Sequence, residues 1–286
     1  MNWPDVWDAM FGGLADYGDI LALVSNSVWA GAVLGLVGGL VGVFVMQRDM
    51  AFAVHGISEL SFAGAAFALL VGFDVVTGSI VGSLVAAGLI GWLGARARDR
   101  NSVIGVLMPF GLGLGILFLS LYNGRSANRF SLLTGQIVSV QNAQLGWLIA
   151  ISAVVLVALL LIWRPLRFDS LDPQSAAARG VPTIAVSLGF MLLLGLVVAV
   201  AVHIIGALLV LALLVTPAAA AMRVASGPIA VPVLAAVFGV VSAVGGILLA
   251  IAGTLPVSPY ITTISFVIYL VCRIIGARRD RVARDA

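Results

Sequence analysis

Nine stretches of this chain, near residues 27–46, 50–72, 75–95, 103–121, 143–163, 183–201, 205–222, 229–251 and 260–276, are long, apolar and almost free of charge. Runs of about 18 or more apolar residues match the thickness of a bilayer's hydrocarbon core. Inside lipid the backbone must satisfy its own hydrogen bonds, which leaves only helices and closed barrels. A barrel would need short segments of alternating polarity, and these runs do not alternate. They therefore predict an all-α, polytopic helical membrane protein with about nine transmembrane helices. Charged residues make up only 9% of the 286 positions, a composition that excludes an ordinary soluble domain.

The arginines orient the spans. There is no lysine. If every run crosses, Arg48, Arg96, Arg98, Arg100, Arg164, Arg167, Arg179, Arg223 and the group from Arg273 to Arg284 fall on one side. Only Arg125 and Arg129 fall on the other. Basic residues accumulate in cytoplasmic loops, so the N-terminus is expected outside and the C-terminus inside. Confinement of the arginines to short loops and the tail also argues against nucleic acid as a partner. Residues 1–25 lack a basic lead and carry Asp5, Asp8, Asp16 and Asp19, unlike a signal peptide. Trp3, Trp7, Met10 and Leu14 recur at helical spacing, so an interfacial segment on the outer surface and an acidic lead-in remain alternatives. The expected organisation is an extracytoplasmic or interfacial segment at 1–25, a transmembrane domain at 26–276 and a cytoplasmic tail at 277–286. The single cysteine, Cys272, excludes an internal disulfide framework.

Against this apolar background two titratable groups stand out. Glu59 is the only glutamate and follows His55, one of two histidines, by four residues inside the second run. Ionisable groups at membrane depth are costly and usually mark a pathway or site. Residues four apart on a helix share a face, and an imidazole beside a carboxylate could grip one cation. The alternative is a polar pair that merely joins helices. Glu59 would lie about 14 Å up the helix from Met50, near the depth at which transporters place their sites. Gly56 would let a neighbouring span or a substrate approach, and Ser58 and Ser61 are expected to bond back to backbone carbonyls. Two ligands are too few for a complete site, so waters or other helices must supply the rest.

His203 is a weaker candidate, as a gate or third ligand, at the outer end of the sixth run. Thr216 and Pro217 interrupt the run from Gly206, and such a break either lines a pathway or is a packing kink. Asp49 is expected to pair with its neighbour Arg48, and Asp74 to sit in a tight outer turn. Glycines at four-residue spacing (Gly31, Gly35, Gly39; Gly38, Gly42; Gly78, Gly82) and the cluster Gly111, Gly113, Gly115 predict close helix packing. No lysine means no Walker-type nucleotide loop, and no catalytic constellation is present.

Two connections are amphiphilic. Residues 122–142 read as an outer loop, with a short half-helix at Phe130–Thr134. Residues 164–182 form the longest inner connection. There Ser170 or Asp172 could cap a short helix from Pro173 to Ala178 that Gly180 ends, exposed to a soluble partner or simply to water.

The motifs Arg48-Asp-Met50-Ala51, His55-Gly-Ile57-Ser58-Glu59 and Ala63-Gly64-Ala65-Ala66, with Gly206-Ala-Leu-Leu-Val-Leu-Ala-Leu-Leu-Val-Thr-Pro217-Ala-Ala-Ala-Ala221, resemble those of a known family. They are similar to the membrane permease subunit of bacterial ABC importers for zinc and manganese, over about residues 20–275. Phe168-Asp169 through Asp172 to Arg179-Gly180 looks like that family's coupling helix, which docks on an ATPase. Leu255-Pro256 through Pro259 is like its late turn. The family's aspartate and histidine fall on His55 and Glu59 with the two types exchanged, and its acidic residue before the late turn is Thr254 here.

The resemblance implies a multi-pass subunit of the bacterial cytoplasmic membrane that is not itself an enzyme and holds no permanent cofactor. Zn²⁺ or Mn²⁺ would be its cargo. Its partners would be cytoplasmic ABC ATPase subunits, an extracytoplasmic metal-binding protein, a second copy of itself and the lipid bilayer. Two rival readings stay open: a proton-coupled secondary transporter using Glu59, and an ABC permease for iron or iron chelates.

Overall fold

The computed structural model describes residues 18, 21, 23–93, 97–124, 140–207, 209–252 and 256–285, with side chains described except at 97–100 and 279–285. The acidic lead-in, Arg96, Arg125, Arg129, the half-helix expected at 130–134, Thr254 and Leu255 lie outside the described residues. Among those described, ten helices follow one another with no strand: α1 (Ser25–Gln47), α2 (Ala51–Val71), α3 (Val75–Leu93), α4 (Ala97–Leu121), α5 (Asn142–Leu171), α6 (Pro173–Ala178), α7 (Thr183–Ile205), α8 (Val210–Val224), α9 (Ala230–Ile251) and α10 (Val257–Asp285). Eight are long and apolar enough to cross a bilayer.

The expected seventh span is the exception. Gly206 adopts φ 83° and ends α7, so the run from Gly206 resumes as helix only at Val210. The 15 residues of α8 rise about 22 Å, short of the ~30 Å core. Conversely, α5 continues eight residues beyond its expected end at 163, passing through Pro165, because Leu166 and Asp169 on that extension are buried.

The chain divides into two compact units, one of residues 1–43, 137–149 and 212–286, the other of 44–136 and 150–211. In the first, the glycine ridges of α1 act as expected. Gly31 faces Ala243 and the side-chain end of Ile247 of α9, while Gly35 meets the backbone of Gly239 and Gly39 that of Ala235, the last two leaving no room for a Cβ. The second ridge, Gly38 and Gly42, packs on Leu213 and Leu214 of α8. Pro217, inside α8, has no amide to give the carbonyl four residues back. That carbonyl is Leu213 O, 3.4 Å from where a Gly38 Cβ would stand. The missing side chain on α1 thus lets backbone cover the place where the ladder is broken.

In the second unit α2 is the centre, with thirteen of its 21 residues buried. Gly64 of α2 meets Gly78 and Gly82 of α3 backbone to backbone, and Gly111 and Gly115 of α4 seat Leu60 and Phe62. Close approach of this kind replaces the hydrophobic effect as the cement between helices in lipid. Helix α7 closes on α3, where Gly195 faces Ala87 and Ser83. Phe44 stacks edge-on against Trp163 at 4.9 Å and Phe190 at 6.0 Å.

Candidate functional site

The turn from α1 to α2 has no slack. Asp49 takes the left-handed conformation, φ 52°. Its N–H donates to Met46 O at 3.4 Å, and Met50 N–H to Val45 O at 2.9 Å, the two bonds of a Schellman cap. Helix α2 starts at the next residue, Ala51. The rotation of α2, and so the direction of every side chain on it, is set by this turn.

One strip of α2 is its least buried, running from Phe52, 68% exposed, to Phe67, 49% exposed. His55 and Glu59 lie on it between those aromatics. The His55 side chain is 26% exposed and that of Glu59 6%. Nε2 of His55 stands 3.5 Å from Oε1 of Glu59, longer than the 2.7–2.9 Å of a good charge-assisted bond. Nδ1 of His55 is buried with no hydrogen-bond partner among the described residues. At that separation the two side chains are not fully spent on one another.

The backbone beneath them is held firmly. Gly111 of α4 lies against the Glu59–Leu60 peptide, where an added Cβ would come within 3.1 Å of Glu59 C and 3.0 Å of Leu60 N. Gly56 admits a neighbouring span rather than open space, since Ile104, Met108 and Ile90 cover it. Ser58 donates to His55 O at 2.8 Å, as its position predicts. Ser61 does not bond back to its own helix. Its Oγ is 2.7 Å from Ser79 Oγ and 3.0 Å from Ser79 O, and Ser79 donates to Ala199 O at 3.1 Å. This buried chain ties α2, α3 and α7 together.

An apolar cavity of about 480 Å³ opens further along the strip, between Leu60, Phe67, Val85, Leu114 and Phe118. Glu59 is not among its lining residues. Asp74, in the turn after α2, is the one charged side chain that lines it. Asp74 Oδ2 accepts from Thr77 N and Thr77 Oγ1, each at 2.8 Å. These bonds, the backbone one first, and the nearby His203 hold its carboxyl below the ordinary carboxylate range, against a smaller opposing effect of burial.

His203 is thus placed with Asp74 at the far end of α2. His55 is separated from Val71 by about 24 Å of helix, and among the described residues no three His, Cys, Asp or Glu side chains come together. The structure does not bring His203 to the His55/Glu59 pair. Thr216 and Pro217 belong to the other compact unit.

The inner connection takes the form its sequence predicts. Asp172, not Ser170, caps α6, accepting from Ser175 N at 3.0 Å and Ser175 Oγ at 2.5 Å. The side-chain bond first, then the backbone bond, lowers its carboxyl from the usual value. Gly180, φ 82°, ends the helix with Gly180 N–H to Ala177 O and Val181 N–H to Ala176 O, both 3.0 Å. Arg179 stacks over Phe168 at 5.5 Å. Ala176 alone of α6 is buried, and the other five residues face outward.

Two expectations about charge are corrected. The ion pair of Arg48 is with Asp169, at 2.6 Å, and not with its neighbour Asp49, which is exposed in the left-handed turn. Asp169 is only 3% exposed, so this member of the expected docking segment faces inward. Arg48 also donates to Ser170 Oγ at 3.3 Å and to Ser187 Oγ at 2.9 Å. Ser187 had no signal in the sequence.

Comparison with known proteins completes the picture. The model of the ABC 3 transport family matches residues 21–276. The manganese transport system membrane protein MntC of Halalkalibacterium halodurans is 31% identical over 225 residues, 78% of this chain and 77% of that protein. The manganese import system permease protein ScaB of Streptococcus parasanguinis is 28% identical over 259 residues, 90% and 92% of the two chains. Among solved structures, PsaBC from Streptococcus pneumoniae in complex with Fab matches with a TM-score of 0.81 at 27% identity, covering 91% of this chain and 95% of that one. The chain belongs to the ABC 3 transport family, as a multi-pass permease of the bacterial cytoplasmic membrane.

Proposed function

We propose that this permease carries a divalent metal ion, Mn²⁺ before Zn²⁺, into the cytoplasm at the expense of ATP hydrolysed by a separate subunit. The observation that carries the reading is an intramembrane imidazole–carboxylate pair in a chain whose relatives MntC and ScaB are named for manganese. Carboxylate oxygen suits Mn²⁺ and imidazole suits Zn²⁺, so the pair itself admits both. Family membership favours this reading over a proton-coupled carrier. An iron-chelate permease would have little use for a two-ligand grip on a bare ion.

In this reading the pair supplies two ligands per chain, and water or a second copy supplies others. The site must hold the ion loosely enough to release it. The arginine distribution supports a cytoplasmic location for α6, whose exposed face would dock on the ATPase, while an extracytoplasmic binding protein delivers the ion from the other side. ATP binding would move the docked segment and rock the spans between outward and inward access. The test is uptake into vesicles holding the permease with its ATPase partner. Mn²⁺ uptake that needs ATP and survives collapse of the proton gradient is expected. Uptake driven by the gradient alone would overturn the proposal, and preference for Zn²⁺ would reverse the order of metals.

A further inference from the structure

Arg48 is not absorbed by the transport site, by the expected ATPase contact or by the glycine packing, yet it is one of the most heavily engaged side chains in its unit. Its side chain is 10% exposed. It binds Asp169 at 2.6 Å and Ser170 at 3.3 Å on one side, and Ser187 at 2.9 Å on the other, and lies 5.9 Å from the centre of the Phe190 ring. Asp169 and Ser170 are in the last turns of α5, just before α6. Ser187 is in the first turns of α7, just after it. A single planar fork therefore grips both roots of the segment that carries α6.

The other end of the same residue is the α1–α2 turn. Arg48 is the capping position of α1, Asp49 and Met50 close the Schellman turn, and α2 starts at Ala51. The main chain between Arg48 and the pair is a tight turn followed directly by helix. A displacement of the α6 roots is delivered to the first turn of the helix that holds His55 and Glu59, with no flexible link between. Arginine is suited to this because its five donors are fixed in one planar fork, whereas the three donors of a lysine ammonium rotate about a single flexible point. The pair is nearly buried, and removing one partner of such a pair leaves an uncompensated charge.

We infer that Arg48, with Asp169 and Ser187, is the positioning link that couples movement of the α6 segment to the His55/Glu59 helix. This rests on the proposed ATP-driven function. Arg48 and Asp169 lie outside the His55/Glu59 pair, and Asp169 is turned inward at 3% exposure, so their loss should uncouple transport from hydrolysis rather than abolish either.

The test uses the whole permease–ATPase complex in vesicles, with Mn²⁺ as the probe and both Mn²⁺ uptake and ATP hydrolysis read in the same preparation. Arg48→Lys, Asp169→Asn and the double variant are compared with the parent. Ions moved per ATP should fall roughly tenfold in each single variant, within the usual range of coupling between distant sites. The double variant should fall no further, while hydrolysis and recovery of the ATPase with the permease stay near the parent's. Unchanged ions per ATP in well-assembled single variants would overturn the inference. So would parallel loss of hydrolysis and bound ATPase, since the residues would then only shape the docking surface.

A measurement on the intact link guards against variants that fail to fold. Spin labels at the exposed positions Phe52 and Gln174 should keep one separation with and without ATP, and a separation that changes between the two states overturns the inference. If the parent itself shows no ATP-driven Mn²⁺ uptake, the proposed function has failed. If the parent transports and Arg48→Lys matches it, only the link has failed.

Discussion

Nε2 of His55 and Oε1 of Glu59 face one another at 3.5 Å across one turn of α2, on the strip of that helix bounded by the exposed rings of Phe52 and Phe67. The separation is too long for the pair to be fully spent on itself and short enough for one ion to bridge. Replacing the carboxylate by its neutral isostere removes the anionic ligand and little else. Glu59→Gln is expected to reduce metal uptake by more than the roughly 10–100-fold typical of losing a partner outside the ligand shell, with the protein still inserted and assembled. Uptake at the parental rate from a normally expressed variant would show that the pair is only a joint between helices.

The hydroxyl chain from Ser61 through Ser79 to Ala199 O joins three helices where no water competes. Interhelical bonds of this kind average about 0.6 kcal/mol and reach about 1.7. A double-mutant cycle on Ser61→Ala and Ser79→Ala, read by unfolding in detergent, should give a coupling of that size, with the double variant costing less than the sum of the singles.

Gly82 stands against Leu60 O and Gly64, with no space for a side chain. Gly82→Val must push α3 away from α2 and should cost about 1–3 kcal/mol, the usual cost of overpacking. Gly88 of the same helix has nothing within 4 Å of a built Cβ, so Gly88→Ala is the control. Melting of the two variants should separate clearly, with only Gly82→Val falling.

Asp74 caps α3 through Thr77, and its carboxyl is held below the ordinary range by those bonds. A carboxylate with a depressed folded-state pKa stabilises the fold above its unfolded pKa and ceases to do so as pH falls through the folded one. Asp74→Ala should cost about 1 kcal/mol at neutral pH, as for other lost caps. Its deficit should shrink as the medium is acidified below the carboxylate range, measured as the difference in melting temperature between parent and variant. A deficit that grows on acidification would contradict the assigned bonds.

Much of this was readable from local chemistry. Apolar length gave eight of the nine expected spans, and helix α6 with its cap at Asp172 and its stop at Gly180 follows from residues that act within four positions of themselves. The four-residue glycine spacing gave the ridges of α1, because small residues in register have few other uses in lipid. What escaped was set by distance along the chain. Arg48 finds Asp169 121 residues away, and nothing near Arg48 marks that choice over Asp49. Ser61 turns outward to Ser79 because α3 lies within bonding distance, which depends on Gly64, Gly78 and Gly82 acting together. His203, a candidate gate or third ligand at the outer end of its run, stands beside Asp74 instead of His55, because position along one span does not tell which depth of another span it faces.

The cap at Asp49 has a consequence for how such a chain can vary. One residue added or lost between Gln47 and Ala51 would screw α2 about 100° around its axis, turning the strip that carries imidazole and carboxylate to another direction while leaving every span long enough to insert. A length change at this corner would therefore leave the hydropathy profile untouched while turning Gly64, Leu60 and Phe62 away from the glycines of α3 and α4 that receive them, a defect that hydropathy alone would never flag.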